Sequence, residues 1–254
     1  MKQKAILSLY DYTTETVKPW AQAGYICYCV DIQHPDGETR DGNIILVGAD
    51  ILTWYPPTDV QFVFGIGFPP CTDLAVSGAK HFSAKAARNP SYRDEAMALV
   101  YRCRDIFEAL GVPYAIENPV SVISTEWRKP DYSFHPYEYG GYIPECDHQH
   151  PIWPEYIAPR DAYPKKTCLW TGGGFRIPPK NAVEAPDGYS QQFKKLGGKS
   201  LKTKNIRSAT PRGFAIALYL ANCGKFRASE TASGKNKNRV SVPTDYTLIS
   251  QHSK

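Results

Sequence analysis

"VQFVFGIGFPPCTD" (residues 60–73) is the stretch on which the fold turns. Its first seven residues are short, β-branched and aromatic, which predicts a buried strand. Pro69 and Pro70 each fix φ and remove an N–H donor, so the strand cannot run through them. Cys71 is thereby expected just past the carboxyl end of a strand. In open α/β sheets that edge is where ligands bind and chemistry occurs.

Further strand signals lie on both sides of this stretch. "AILSLY" (5–10), "YICYCVDI" (25–32) and "NIILVGADI" (43–51) predict three earlier strands, and "VPYAIEN" (112–118) a fifth. A short helix is expected over 14–24, limited by Pro19. A long one is expected over 91–110, with Ala96, Leu99, Val100, Cys103, Ile106 and Phe107 at helical spacing and Gly111 closing it. A last helix is expected over 210–223, with Pro211 in its first turn. Strand alternating with helix argues for a mostly parallel sheet with crossover helices. Residues 120–205 are rich in Pro, Gly, Tyr and Trp without a long periodic segment, and are expected to form a small irregular insert. Residues 225–254 are polar and expected as a disordered tail. The expected organisation is a doubly wound α/β domain built from 1–119 and 206–224.

Composition narrows the class. No apolar run approaches the roughly 20 residues of a membrane-spanning helix, and "MKQKAILSLYDY" lacks a signal-peptide core, so a cytoplasmic chain with no membrane partner is expected. The seven cysteines are an odd number without framework spacing and are expected as reduced thiols. A net charge of +5 permits a polyanionic partner without demanding one. The basic residues concentrate in "KKLGGKSLKTKNIRSATPR" (194–212), which holds no acid and reads as a solvated face or a phosphate-contacting one. "CDHQH" (146–150) offers Cys146, His148 and His150, but the alternating spacing matches no regular zinc site, and no metal is expected.

Four expected strand ends deliver Asp31, Asp50, Cys71 and Glu117 to one edge. A thiol beside a carboxylic acid suits attack on an electron-poor ring carbon, with the acid neutralising charge that develops on a ring nitrogen. Cytosine is such a ring. Addition at carbon 6 makes carbon 5 nucleophilic and ready to take a one-carbon group.

At these residues the chain resembles the DNA cytosine-5 methyltransferases. "FPPCTDLAVSG" (68–78) is similar to their catalytic proline-cysteine loop, "ENP" (117–119) to their Glu-Asn-Val motif, and "SATPRGFAIALYLAN" (208–222) to the helix that closes their cofactor domain. The order matches, and "ENPVSVIS", "WRKPD", "FHPYEYGG" and "YPKKTCLW" are similar to small phage-encoded cytosine methylases. The resemblance implies a Rossmann-like methyltransferase fold with S-adenosylmethionine as cofactor and DNA as substrate, the target base flipped from the duplex or presented in a single strand.

By the same resemblance Cys71 is the covalent nucleophile, Glu117 the partner of the ring nitrogen and exocyclic amine, and Asn118 the holder of the catalytic loop. Tyr10, Asp11, Thr13, Thr14, Asp31, Ile32, Asp50, Ile51 and Pro69 would contact the cofactor, with Asp31 on the ribose and Asp50 on the adenine amine. Pro70, Ser77, Lys165, Lys166 and Thr167 would contact the substrate. Two departures stand out. The family's first loop is glycine-rich, whereas "LYDYTTET" (9–16) has Tyr12, Thr14 and Glu15 where glycines belong. The family's Gln-x-Arg-x-Arg motif is absent, and "KKTCLW" (165–170) occupies its place. These departures leave open a free cytosine nucleotide with another one-carbon donor, or a nucleic-acid-binding relic without catalysis. The insert carries Arg128, Lys129, Arg160, Lys165, Lys166 and Arg176 among aromatics, a composition that suits either base stacking or packing of a small lobe.

Overall fold

The computed structural model of the chain describes residues 2–185, 188, 190–197 and 200–223. The tail expected over 225–254 lies outside the described residues. In chain order the elements are β1 (Lys4–Leu9), α1 (Lys18–Gln22), β2 (Ile26–Val30), β3 (Gly37–Asp41), β4 (Ile44–Gly48), β5 (Gln61–Gly67), α2 (Phe82–Arg88), α3 (Tyr92–Leu110), β6 (Tyr114–Pro119), α4 (Ile123–Glu126), β7 (Tyr132–Phe134), β8 (Thr167–Gly172), α5 (Gln191–Lys195), α6 (Leu201–Ser208) and α7 (Arg212–Asn222). Short 3₁₀ turns join several of them.

The eight strands of the described residues form one sheet in the order β3-β4-β2-β1-β5-β6-β8-β7. The centre, from β4 through β6, is parallel. Three pairings are antiparallel: β3 with β4, β6 with β8, and β7 with β8. The fold is therefore α/β with a mixed, mostly parallel sheet. The five expected strands are present. Three more were not foreseen. β3 is short and exposed along its whole length, so it carries no apolar signal. β7 and β8 lie within 120–205, so part of the segment expected as an irregular insert extends the sheet.

The central strands read as continuous apolar runs because both faces are covered. Ala5, Leu7 and Leu9 of β1 join one core cluster with Val100, Cys103 and Phe107 of α3. Ile6 joins the other with Trp20 of α1 and Phe214 and Leu218 of α7. Glycine sets how closely α3 approaches. A Cβ on Gly65 would lie 2.4 Å from the Phe107 ring, and one on Gly67 would lie 2.6 Å from Cys103 Sγ. Pro19 falls in the first turn of α1, so the helix expected over 14–24 starts only at Lys18.

The start of α7 is tied to the 159–161 turn by Gly213 N–H, which donates to Asp161 Oδ2 at 2.9 Å. Asp161 is 2% exposed, and burial pushes its carboxyl up to about 6 despite that bond and nearby Arg212. A raised acid binds its proton more tightly folded than unfolded. Its stabilising contribution is thus complete below the ordinary carboxylate range and is lost as pH rises through about 6. In urea titrations, the stability of the wild type relative to Asp161→Asn should fall by about 2 kcal/mol between pH ~4 and ~7. A difference that stays flat with pH would show that Asp161 is ionised in the fold throughout.

Candidate active site

In the sheet β1 lies between β2 and β5. Because β4, β2, β1, β5 and β6 run parallel, their carboxyl ends share one edge. Asp50, Asp31, Asp11, Cys71 and Glu117 follow these strands in that order along it.

Cys71 is a free thiol on an exposed residue, held on a fixed loop. Asn118 Nδ2 donates to the Pro69 carbonyl at 2.8 Å from a buried position. The Cys71 carbonyl accepts from Leu74 and Ala75 N–H at 3.1 and 2.8 Å. Val76 N–H donates to Val120 O and Val122 N–H to Leu74 O, both at 3.0 Å. The loop after β5 is thus laced to the loop after β6, the strand whose end carries Glu117 and Asn118. Lys85 also holds it, bonding Thr72 O at 2.7 Å and Asp73 at 2.6 Å. Although the residue is exposed, the protein packed around its sulfur pushes the Cys71 thiol up, the Glu117 charge adds to that, and Lys165 and Arg207 oppose it. Burial also pushes the Glu117 carboxyl up, with Lys165 opposing. The charges of Glu117, Lys165 and Arg207 thus all bear on the Cys71 thiol. Lys165 and Arg207 are linked directly, since Lys165 Nζ donates to Arg207 O at 2.6 Å.

Two groups at the end of β6 and in the loop after it, Asn118 Oδ1 and Ser121 Oγ, lack hydrogen-bond partners among the described residues although they are closed to water, and unpaired buried polar atoms are costly. Ser121 and Arg207 carried no local motif. Arg207 was visible only as part of the basic run, and Ser121 is brought in by its bridge to Ala75.

The first loop departs from expectation in a physical way. Thr14, a position where the resemblance implies glycine, has φ 59°, and Tyr10 has φ 58°. The loop takes a glycine-type backbone without glycine, at a cost on the order of 1–2 kcal/mol per residue. Asp11 secures it. Its carboxylate accepts from Ser8 Oγ at 2.8 Å, Thr14 N–H at 2.8 Å and Thr13 Oγ1 at 3.3 Å. Asp11 is 3% exposed, and burial raises its carboxyl. The side chain is thus committed to the loop and does not present itself to a cofactor. Glu15 is likewise buried and paired with Lys18 at 2.5 Å. Tyr10 turns its hydroxyl toward Leu99 O, at 3.4 Å.

Farther along the edge, Asp31 accepts from Gln33 N–H at 2.8 Å and burial raises its carboxyl. Asp50 is exposed and accepts from Leu52 N–H at 3.0 Å. Ile32 is 76% exposed, with Leu52 and Tyr12 also exposed. Tyr12 stacks on His34 at 5.4 Å, and the buried His34 reaches the Asp11 carbonyl through Nε2 at 3.2 Å. Ile51 does not join this surface. It is 1% exposed in the core, because the chain turns inward there, and its carbonyl is held by Arg102 Nε at 3.0 Å.

Of the residues assigned to substrate, Pro70 and Ser77 are exposed on the Cys71 loop, Lys165 is half-buried and Lys166 exposed. Thr167 is a correction. It is 2% exposed within β8, where it pairs with both Pro119 and Phe134. Cys146, His148 and His150 do not converge. His150 is buried, and its Nδ1 accepts from the Ile152 and Trp153 N–H groups at 3.2 and 3.1 Å, which makes it the support of a turn. Among the described residues no three His, Cys, Asp or Glu side chains gather as a metal site. None of the seven cysteines is bridged, and no helix among the described residues is long and apolar enough to cross a membrane.

No protein-family model matches the chain, and no curated protein matches it. The described residues place the Cys71 thiol and the Glu117 carboxyl at one sheet edge, with exposed Ile32 and Leu52 and the Asp31 and Asp50 carboxyls farther along it.

Proposed function

We propose that this chain is a cytosine carbon-5 methyltransferase acting on DNA, with a doubly wound, Rossmann-like catalytic domain. The strand order supports the fold reading. With the exposed β3 set aside, β4-β2-β1-β5-β6 follows the 3-2-1-4-5 order of that class, with helices on both faces. The observation that carries the function is the joint placement of Cys71 and Glu117 at the carboxyl ends of adjacent strands, on a loop that Asn118 ties down.

The edge fits S-adenosylmethionine at its adenosine half. Asp31 and Asp50 offer carboxylates to hydroxyl and amine donors, and exposed Ile32 and Leu52 offer an apolar rest for the purine. Thr13 and the left-handed backbone at Thr14 remain for the amino-acid half, since Asp11 is committed elsewhere. When bound, S-adenosylmethionine supplies an electrophilic methyl group for carbon 5. The chain's own residues do the rest. Cys71 Sγ, as thiolate, bonds to carbon 6 of cytosine. Glu117, whose carboxyl burial raises, donates a hydrogen bond to the ring nitrogen once it holds a proton and neutralises the negative charge that the addition creates. Once carbon 5 is substituted and its proton lost, the Sγ–carbon 6 bond breaks and the aromatic ring returns. Lys165 and Arg207 favour the thiolate at both ends of the cycle.

Calorimetry with S-adenosylmethionine tests the cofactor, and mass spectrometry of nucleosides from DNA of expressing cells tests the product. Asp31→Ala should weaken cofactor binding roughly ten- to hundredfold, the size of a lost charge-assisted hydrogen bond. Absence of binding by the folded wild type, with or without DNA, would leave Cys71 and Glu117 to another one-carbon donor.

A further inference from the structure

β3 closes one end of the sheet and is exposed along its whole length. Its outer side has no strand partner among the described residues, and such an edge is a template for another strand. Which backbone groups it offers follows from β4. Cys27 N–H donates to Asn43 O at 2.8 Å and Asp31 N–H to Val47 O at 3.1 Å, so the odd-numbered residues along β4 bond to β2. Ile44, Leu46 and Gly48 are left for β3, where they stand opposite Asp41, Thr39 and Gly37. Bonded positions alternate along an antiparallel pair. Glu38 and Arg40 therefore point their N–H and C=O groups outward.

The two outward positions carry opposite charges on one face of the sheet, with Thr39 between them on the other. That pattern fits a second copy of itself in one antiparallel register. Centring the pair on Glu38 sets acid against acid, and centring it on Arg40 sets cation against cation. Centring it on Thr39 sets Glu38 against Arg40 twice, each pair exchanging both backbone bonds, while the two Thr39 side chains meet across the axis. Opposite charges directly across a ladder stabilise it and like charges destabilise it. Among the described residues neither Glu38 nor Arg40 forms an ion pair. Arg40 spends Nε on Gly42 O at 2.9 Å, which leaves its terminal nitrogens for a carboxylate. Charged side chains blunt an edge against most strands, but this alternation admits its own copy.

We propose that two copies of the chain associate through β3, antiparallel about a two-fold axis at Thr39, so that their sheets continue into one. The interface is isologous and closes on itself. β3 runs antiparallel to β4, so its amino end lies at the edge that carries Cys71 and Glu117, and the pairing leaves the two candidate sites open on opposite edges. Five residues a side fall well short of the roughly 20–30 of a stable interface, so the association is weak and rises with concentration. Sedimentation equilibrium of the full chain, over a dilution series into the submillimolar range, reads it as mass. The wild type should pass from monomer toward dimer, and less so at high salt. Glu38→Arg and Arg40→Glu should each stay monomeric. An equimolar mixture of the two should associate at least as well as the wild type, because each variant complements the other. Oxidation reads the register. Thr39→Cys should form a covalent dimer, whereas Asp41→Cys, which the pairing sets opposite Gly37, should form no more than the wild type does. A wild type that stays monomeric throughout would overturn the proposal. So would single variants that associate as the wild type does, a mixture that stays monomeric, or equal cross-linking at positions 39 and 41.

Discussion

On the proposed reading, DNA containing 5-fluorocytosine should form a covalent complex with the wild type, and Cys71→Ser is expected to abolish it. Fluorine at carbon 5 cannot leave as a proton does, so the Sγ–carbon 6 bond persists and denaturing electrophoresis retains the adduct. A serine hydroxyl at the same place is a far weaker nucleophile, and nothing beside it is a strong base. Turnover should fall on the order of 10⁴-fold or more, the scale of losing a covalent nucleophile. The loop itself should survive, because its backbone bonds to Leu74, Ala75 and Val120 do not involve the thiol. An adduct that forms in Cys71→Ser would move the nucleophile to another residue and end the assignment.

Glu117→Gln separates two effects of opposite sign. Without an ionisable carboxyl at the ring nitrogen, turnover should drop by about 10²–10⁴-fold. The same change removes a negative charge that adds to burial in raising the Cys71 thiol, so the thiol of the free protein should ionise at lower pH and react faster with iodoacetamide. The intrinsic reactivity of a more acidic thiolate falls with a Brønsted coefficient of about 0.4–0.5, which offsets only part of that gain. In the wild type the raised thiol should alkylate slowly at neutral pH, with the rate climbing about tenfold per pH unit toward alkaline pH. Slower turnover with faster alkylation identifies Glu117 as an acid that acts on substrate while opposing the thiolate. Unchanged turnover would reduce it to a residue of the strand end.

Much of the fold was legible because it is written in local patterns. The apolar runs at 5–10, 25–32, 43–51, 60–66 and 112–118 are strands covered on both faces, and such strands have no polar side to blur the signal. The helix over 91–110 announced itself by spacing and by Gly111, which sits at φ 63° as its left-handed stop. By contrast β3 is wholly exposed and β8 lies in a Pro- and Gly-rich setting. Their membership in the sheet depends on partners distant in sequence, so no local pattern reports it.

The site divides along the same line. Residue types at strand ends put Cys71, Glu117, Asp31 and Asp50 on one edge from sequence alone, because parallel strands send all their carboxyl ends the same way. What each side chain is free to do was decided by the tertiary structure. Asp11 is spent on pinning its own loop, Ile51 and Thr167 are packed inside, and Thr14 takes a glycine's backbone angle without being glycine. Lys165 and Arg207 reach the thiol across about 94 to 136 residues of chain, by the numbering of the sequence. Charge acts through space and hydrogen-bonding capacity is used up by whichever neighbour arrives, so availability is settled only once the chain has folded.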